Sequence, residues 1–152
     1  MTMMQKVQAK KSKKGFTLVE LVIVIAILAI LAAIAIPVIT TTINSSKMSV
    51  MESDCATVNM LVKEAINNQQ AGISTTKYAG IAATDKTALT VSYVLTENNL
   101  PSNTDFFTRK IGGSTYNMVA LTSNGLTISV QAGGTALTAN QNISALAAAA
   151  GL

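Results

Sequence analysis

The sequence predicts an α+β fold: one long N-terminal helix, hydrophobic all round in its first half and amphipathic in its second, packed against a small antiparallel sheet. Three observations carry this. Residues 21–36, LVIVIAILAILAAIAI, contain no charge. Downstream, apolar residues recur at spacings of three, four and seven, the period of a single helical face. Around Asn124-Gly125 the apolar residues instead alternate with polar ones, the period of a strand.

The first element is set by charge as much as by hydropathy. Lys6, Lys10, Lys11, Lys13 and Lys14 all precede Gly15, so the net charge of +4 belongs to the leader; six basic and seven acidic residues remain after it. A lysine cluster ahead of an apolar run is a cytoplasmic retention signal under the positive-inside rule. It is not a nucleic-acid footprint, because the body shows no basic clusters interleaved with aromatics. From Phe16 to Ile36 a helix rising about 1.5 Å per residue spans roughly 30 Å, the thickness of a bilayer core. A cleaved secretory signal has a shorter apolar region and a small-residue site after it. Ala33-Ile34-Ala35 imitates such a site, but the run is too long and Glu20 stands inside it. Ala26, Ala29, Ala32, Ala33 and Ala35 are the small residues that allow close helix approach in lipid.

Glu20 is the anomaly of this segment. A charged group on a lipid-facing helix costs about 2.5–3.5 kcal/mol or more at the centre of the span. One reading is local: the carboxylate sits near the positive end of its own helix dipole. The other is intermolecular, with a cation supplied by a second chain.

The stretch KKGFTLVELVIVIAILAILAAIAIP resembles the N-terminus of type IV pilins and the wider pilin-like family. The resemblance covers about residues 10 to 37. It implies a leader, residues 1–15, that a membrane prepilin peptidase removes by cutting between Gly15 and Phe16. It implies N-methylation of Phe16 as the new first residue. Glu20 is then the fifth residue, paired with the α-amine of a neighbouring subunit during assembly, and Pro37 the twenty-second. The resemblance further implies an assembly ATPase, a polytopic platform protein and a homo-oligomeric helical filament.

Pro37 is the only strong breaker expected in the long helix; it removes a backbone hydrogen bond and kinks or loosens the helix, or marks the end of the membrane span. Residues 16–37 form the transmembrane and assembly half, and 38–71 the amphipathic half, with Ile43, Val50, Met51, Cys55, Val58, Leu61, Val62, Ala65 and Ile66 on one face. Cys55 reads as a small core residue. Ala71-Gly72 supplies the stop.

The head, 72–152, opens with a Gly/Thr/Ala-rich loop at 72–87. Residues 88–98 fit a strand or a short helix ending before Pro101, with the helix preferred. Tyr116, Met118 and Ala120, then Leu126, Ile128 and Val130, alternate on either side of Asn124-Gly125 and predict a hairpin facing the helix. Gly112-Gly113 and Gly133-Gly134 read as turns. An edge strand near Thr135–Leu137 and a short Ala-rich helix capped by Ser144 complete the tail. No charged side chain follows Lys110, so this surface packs with neighbours or is solvated through Thr, Asn and Gln.

The composition also excludes chemistry. With no His and one Cys, no nucleophile–base pair can be assembled from those residues. No metal-ligand spacing is present, no disulfide can form within the chain, and no cofactor is expected. No aromatic lies between Thr17 and Lys77, which disfavours electron transfer along a filament core. The expectation is a non-enzymatic structural subunit: a single-pass membrane protein before assembly, then part of an extracellular pilus serving adhesion, surface motility or DNA uptake. The missing disulfide fits a Gram-positive-type pilin better than the bridged bodies of Gram-negative ones. Two alternatives stand beside it. One is a pseudopilin of a secretion or competence system, although the Asp-rich calcium loop of major type II secretion pseudopilins is missing. The other is a membrane-anchored binding module that never polymerises.

Overall fold

The computed structural model describes residues 15–72 and 89–152. The leader up to residue 14 and nearly all of the loop expected at 72–87 lie outside the described residues. The chain divides into two compact units between Ile39 and Thr40.

Helix α1, Leu18–Gln70, runs for 53 residues and contributes to both units. Pro37 lies inside it, and the helix continues through that position. In the first unit every apolar side chain of α1 is exposed. α1 ends where Gly72 adopts φ +64 and its N–H donates to the Gln69 carbonyl, the left-handed glycine stop expected of Ala71-Gly72.

In the second unit α1 is amphipathic. Met51, Cys55, Val58, Leu61, Val62, Ala65 and Ile66 are buried, which is the expected stripe from Met51 onward. Ile43 and Val50, placed on the same face by the sequence, are 46% and 53% exposed. On an ideal helix Val50 lies within about 20° of buried Leu61, so its exposure reflects how far the body covers α1 and not its position around the helix. Ile43 precedes Asn44, the residue against which Gly112 of the sheet makes its close approach.

Helix α2, Val91–Glu97, settles the ambiguous segment as helix, with Val91, Val94 and Leu95 buried. Thr90 caps it by accepting from the Tyr93 amide at 3.3 Å. Asn99 at φ 56 turns the chain before Pro101. Helix α3, Thr104–Phe107, is one turn capped by Asn103. It buries Phe106 and Phe107 in an edge-to-face pair with centroids 5.5 Å apart.

The sheet is antiparallel in the order β1-β2-β3: β1 Thr108–Ile111, β2 Ser114–Leu121, β3 Thr127–Ala132. Gly112 and Gly113, at φ 60 and 87, join β1 to β2 in a two-residue turn that requires two left-handed residues. Strand β1 was not foreseen: its TRKI sequence is charged, but Gly-Gly between two runs was the available signal. The expected hairpin forms between β2 and β3, with Leu121 opposite Thr127. Its loop is five residues long rather than a tight Asn-Gly pair, because only Gly125 has a positive φ and the loop inserts Leu126 into the core. Met118 and Ile128 are buried, and Tyr116, Ala120 and Val130 pack against the core, so the expected inward set is observed. Asn59 of α1 accepts from the Ile128 amide at 2.9 Å. Asp54 of α1 meets Arg109 of β1 at 2.6 Å, and the same guanidinium lies 5.8 Å from the Phe106 ring centroid.

Two expectations for the tail are corrected. No strand forms at Thr135–Leu137; instead the Leu137 amide makes one hydrogen bond to the Met118 carbonyl and its side chain is buried. The turn at Gly133 and Gly134 is held by Asn117, whose Nδ2 donates to the Gly134 carbonyl at 2.8 Å. Helix α4, Ile143–Ala149, is capped by Asn142, not Ser144. Ile143 is fully buried as the first helical residue, which sets the cap one residue earlier. Ser144 Oγ instead donates to Gln69 Oε1 at 2.9 Å.

Candidate processing and assembly site

The residues singled out at the N-terminus come together at the start of α1. Gly15, Phe16 and Thr17 precede the helix, and Glu20 is its third residue. The Glu20 amide donates to Thr17 Oγ1 at 3.2 Å, and the Thr17 amide approaches Glu20 Oε2 at 3.4 Å. This reciprocal pair is a capping box, which satisfies two otherwise orphaned N–H groups at the helix start. The sequence reading placed Glu20 near the helix end but missed Thr17. The signal was present: Thr17-Leu18-Val19-Glu20 is a T-x-x-E pattern ahead of an apolar run.

The carboxylate is used asymmetrically. Thr17 engages Oε2 through its amide and, at 3.5 Å, its hydroxyl. Among the described residues nothing donates to Oε1, and no cation pairs with Glu20. The helix therefore meets part of the hydrogen-bonding demand of the side chain and, through its dipole, only a small part of its charge.

Gly15 is open, with nothing within 4 Å of a Cβ built on it, and its backbone is not left-handed. The fold itself makes no demand for glycine there. Phe16 is 87% exposed.

Within the first unit, α1 presents a continuous unpartnered apolar surface. From Leu18 to Ile39 its large apolar side chains remain between 48% and 78% exposed. This helix is the one element among the described residues long and apolar enough to cross a membrane. Protein surfaces seldom leave so much contiguous apolar area in contact with water.

The remaining candidate groups are structural. Cys55 is free and buried, and burial, reinforced by the Glu52 carboxylate, pushes its thiol up to about 11. A thiol so held is protonated and a poor nucleophile at neutral pH. Among the described residues no group of three or more His, Cys, Asp or Glu side chains is arranged to hold a metal ion.

Residues 10–36 match the family described as the prokaryotic N-terminal methylation motif. No curated protein and no solved structure matches the chain. The matched segment contains Gly15, Phe16 and Glu20 and ends one residue before Pro37. A prokaryotic N-terminal methylation motif at the head of a long helix, followed by a small three-stranded antiparallel sheet, is consistent with a type IV pilin-like chain.

Proposed function

We propose that this chain is a structural subunit of a type IV pilus. A prepilin peptidase cuts it between Gly15 and Phe16 and the new amine of Phe16 is methylated. The subunit waits in the membrane through residues 16–37. It then polymerises, with assembly driven by an ATPase and a membrane platform protein. The filament buries the N-terminal helices in its core and carries the bodies outside, where they serve adhesion, surface motility or DNA uptake.

The observation that carries this reading is the change of character along one helix. Up to Ile39 the apolar side chains of α1 have no protein to cover them, whereas from Met51 to Ile66 the apolar stripe is buried by the chain's own body. Burial of apolar surface stabilises by about 25 cal/mol per Å². The uncovered segment must therefore sit in lipid or against copies of itself. Glu20 favours the second state: lipid offers its charge no partner, while a neighbour's N-terminal amine does.

A pseudopilin shares the motif and the helix but builds a short fibre. Electron microscopy of sheared cell-surface material, combined with the intact mass of the purified subunit, tests the proposal. The expected result is long fibres made of a chain that begins at methylated Phe16. Processed subunits without long fibres favour the pseudopilin. Assembled material retaining Met1 overturns processing, and a membrane protein that never leaves the bilayer overturns polymerisation.

A further inference from the structure

Asn124 is followed by Gly125, and no other asparagine in the chain precedes a glycine. The backbone nitrogen after an asparagine can close a ring on the side-chain carbonyl when three conditions hold. The side chain must be free to turn, the nitrogen must not be locked in a hydrogen-bonded frame, and no side chain on the next residue may crowd the approach. The fold denies this to the other asparagines. Asn44, Asn59, Asn67 and Asn68 lie within α1, where the following amide belongs to the helical ladder. After Asn98, Asn99, Asn140 and Asn142 the next amide already donates to a backbone carbonyl. Asn103 accepts from the Phe106 amide at 3.1 Å, and Asn117 is buried with its Nδ2 on the Gly134 carbonyl. Asn124 is exposed and, among the described residues, its side chain is held by no hydrogen bond. Gly125 lies outside the named strands, in a local bridge with Ser123. Its φ is 86, and nothing stands within 4 Å of a Cβ built on it. Glycine leaves the attack unshielded and lets the peptide turn into it.

We propose that Asn124 is a site of spontaneous deamidation, converted to aspartate and isoaspartate through a cyclic imide closed by the Gly125 nitrogen. The new bond joins the Gly125 nitrogen to Asn124 Cγ. The Cγ–Nδ2 bond breaks, and Nδ2 leaves as ammonia with the proton of the Gly125 amide. Water then opens the ring: attack at the side-chain carbonyl gives aspartate, and attack at the backbone carbonyl gives isoaspartate. Water is the only co-reactant. Either product carries a carboxylate, the first charged side chain after Lys110 in an otherwise neutral stretch. It lies in a cleft of about 310 Å³ that residue 124 shares with Lys63. Isoaspartate also lengthens the main chain by a methylene within a loop whose ends are fixed by the Leu121–Thr127 pair and by buried Leu126. The body thus gains negative charge as it ages, and the conversion needs neither processing nor assembly.

Incubation of the purified folded chain in heavy-oxygen water, at neutral and at alkaline pH, tests the site. Peptide mass mapping reads the conversion, and methyl transfer by an isoaspartyl methyltransferase reads the isoaspartate. The expected result is a deamidated peptide containing residue 124 that accumulates ahead of every other asparagine peptide, carries the heavy oxygen and accepts methyl groups. It forms faster at alkaline pH, because the attacking nitrogen must lose its proton. Asn124→Gln keeps an amide beside Gly125 but must close a larger ring, so both signals are lost at this position while the melting temperature is unchanged. An intact Asn124 in the folded chain overturns the proposal, whether or not the urea-unfolded chain reacts; reaction of the unfolded chain alone shows that the fold protects the site. Deamidation that appears first at another asparagine overturns it as well, as does persistence of the methyl-accepting signal in Asn124→Gln.

Discussion

Replacing Glu20 by Gln separates the two demands that meet at this side chain. Glutamine at the third helical position keeps an oxygen able to accept from the Thr17 amide, so the capping box of Thr17 and Glu20 survives in neutral form. What is lost is the charge. If capping and the helix dipole were its whole role, the substitution would cost about 0.3–1 kcal/mol, less than tenfold in any equilibrium. If the carboxylate pairs with a neighbour's amine in the dry core of a fibre, removing it strands that amine, at a cost of about 3–5 kcal/mol. Since each 1.4 kcal/mol is about tenfold, incorporation should fall more than a hundredfold. Thr17→Ala is the complementary change: it removes the hydroxyl cap, costs about 0.5–2 kcal/mol and leaves the charge. The measurement is the ratio of processed subunit in sheared fibre to processed subunit in membrane, with the N-terminus verified by mass. The expected result is normal processing in both variants, near-complete loss of fibre for Glu20→Gln and a modest decrease for Thr17→Ala. Wild-type fibre yield from Glu20→Gln, or equal losses in the two variants, would refute the charge argument.

Two further predictions concern the body. The Asp54–Arg109 pair is 28% and 26% exposed at its two side chains, so its coupling is that of a partly screened bridge, about 0.5–1 kcal/mol. A double-mutant cycle by thermal melting should find it, with Tm lowered by a few degrees in each single variant and the coupling reduced in high salt; zero coupling at low salt contradicts the assignment. For Cys55, burial raises the folded thiol from 9.0 to about 11. The unfolded chain ionises first, so the folded state binds more protons between those values. This contribution is complete below about pH 9 and is lost as pH rises toward 11. Thiol reagents at neutral pH should label Cys55 only after denaturation, and Cys55→Ala should flatten the alkaline decline in stability; rapid labelling of the folded body contradicts its burial.

The parts of this fold legible in the sequence were those written in strong periodicity. The helix from Leu18 to Gln70, its glycine stop, and the inward set Met118 and Ile128 follow from spacing alone. What was not legible depended on tertiary partners. Val50 carries an apolar side chain at a plausible spacing, and only the reach of the sheet decides that it stays outside. Strand β1 is hidden because Arg109 and Lys110 are polar in sequence, while its pairing comes from the Gly112-Gly113 turn and from Asp54 fifty-five residues away. Ser144 and Asn142 are both good caps; the burial of Ile143 chose between them. At the candidate site, Glu20 stood out because charge inside an apolar run is costly wherever the run goes. Thr17 did not, because a hydroxyl before a helix is ordinary.

The capping box changes how the two readings of Glu20 relate. They were posed as rivals, a carboxylate satisfied by its own helix against one waiting for a neighbour. Under the proposed processing and assembly they would be consecutive. Thr17 meets Oε2 at 3.4 and 3.5 Å, which biases the side chain along the first turn. Oε1, to which no group among the described residues donates, is left for a donor from outside. Cleavage after Gly15 would leave Thr17 second in the chain, so the cap survives processing while the leader's lysines and their retention signal depart. The proposed cut would then do two things: it would create a cationic amine at Phe16 on every subunit, and it would leave Thr17 and Glu20 in contact at the new helix start.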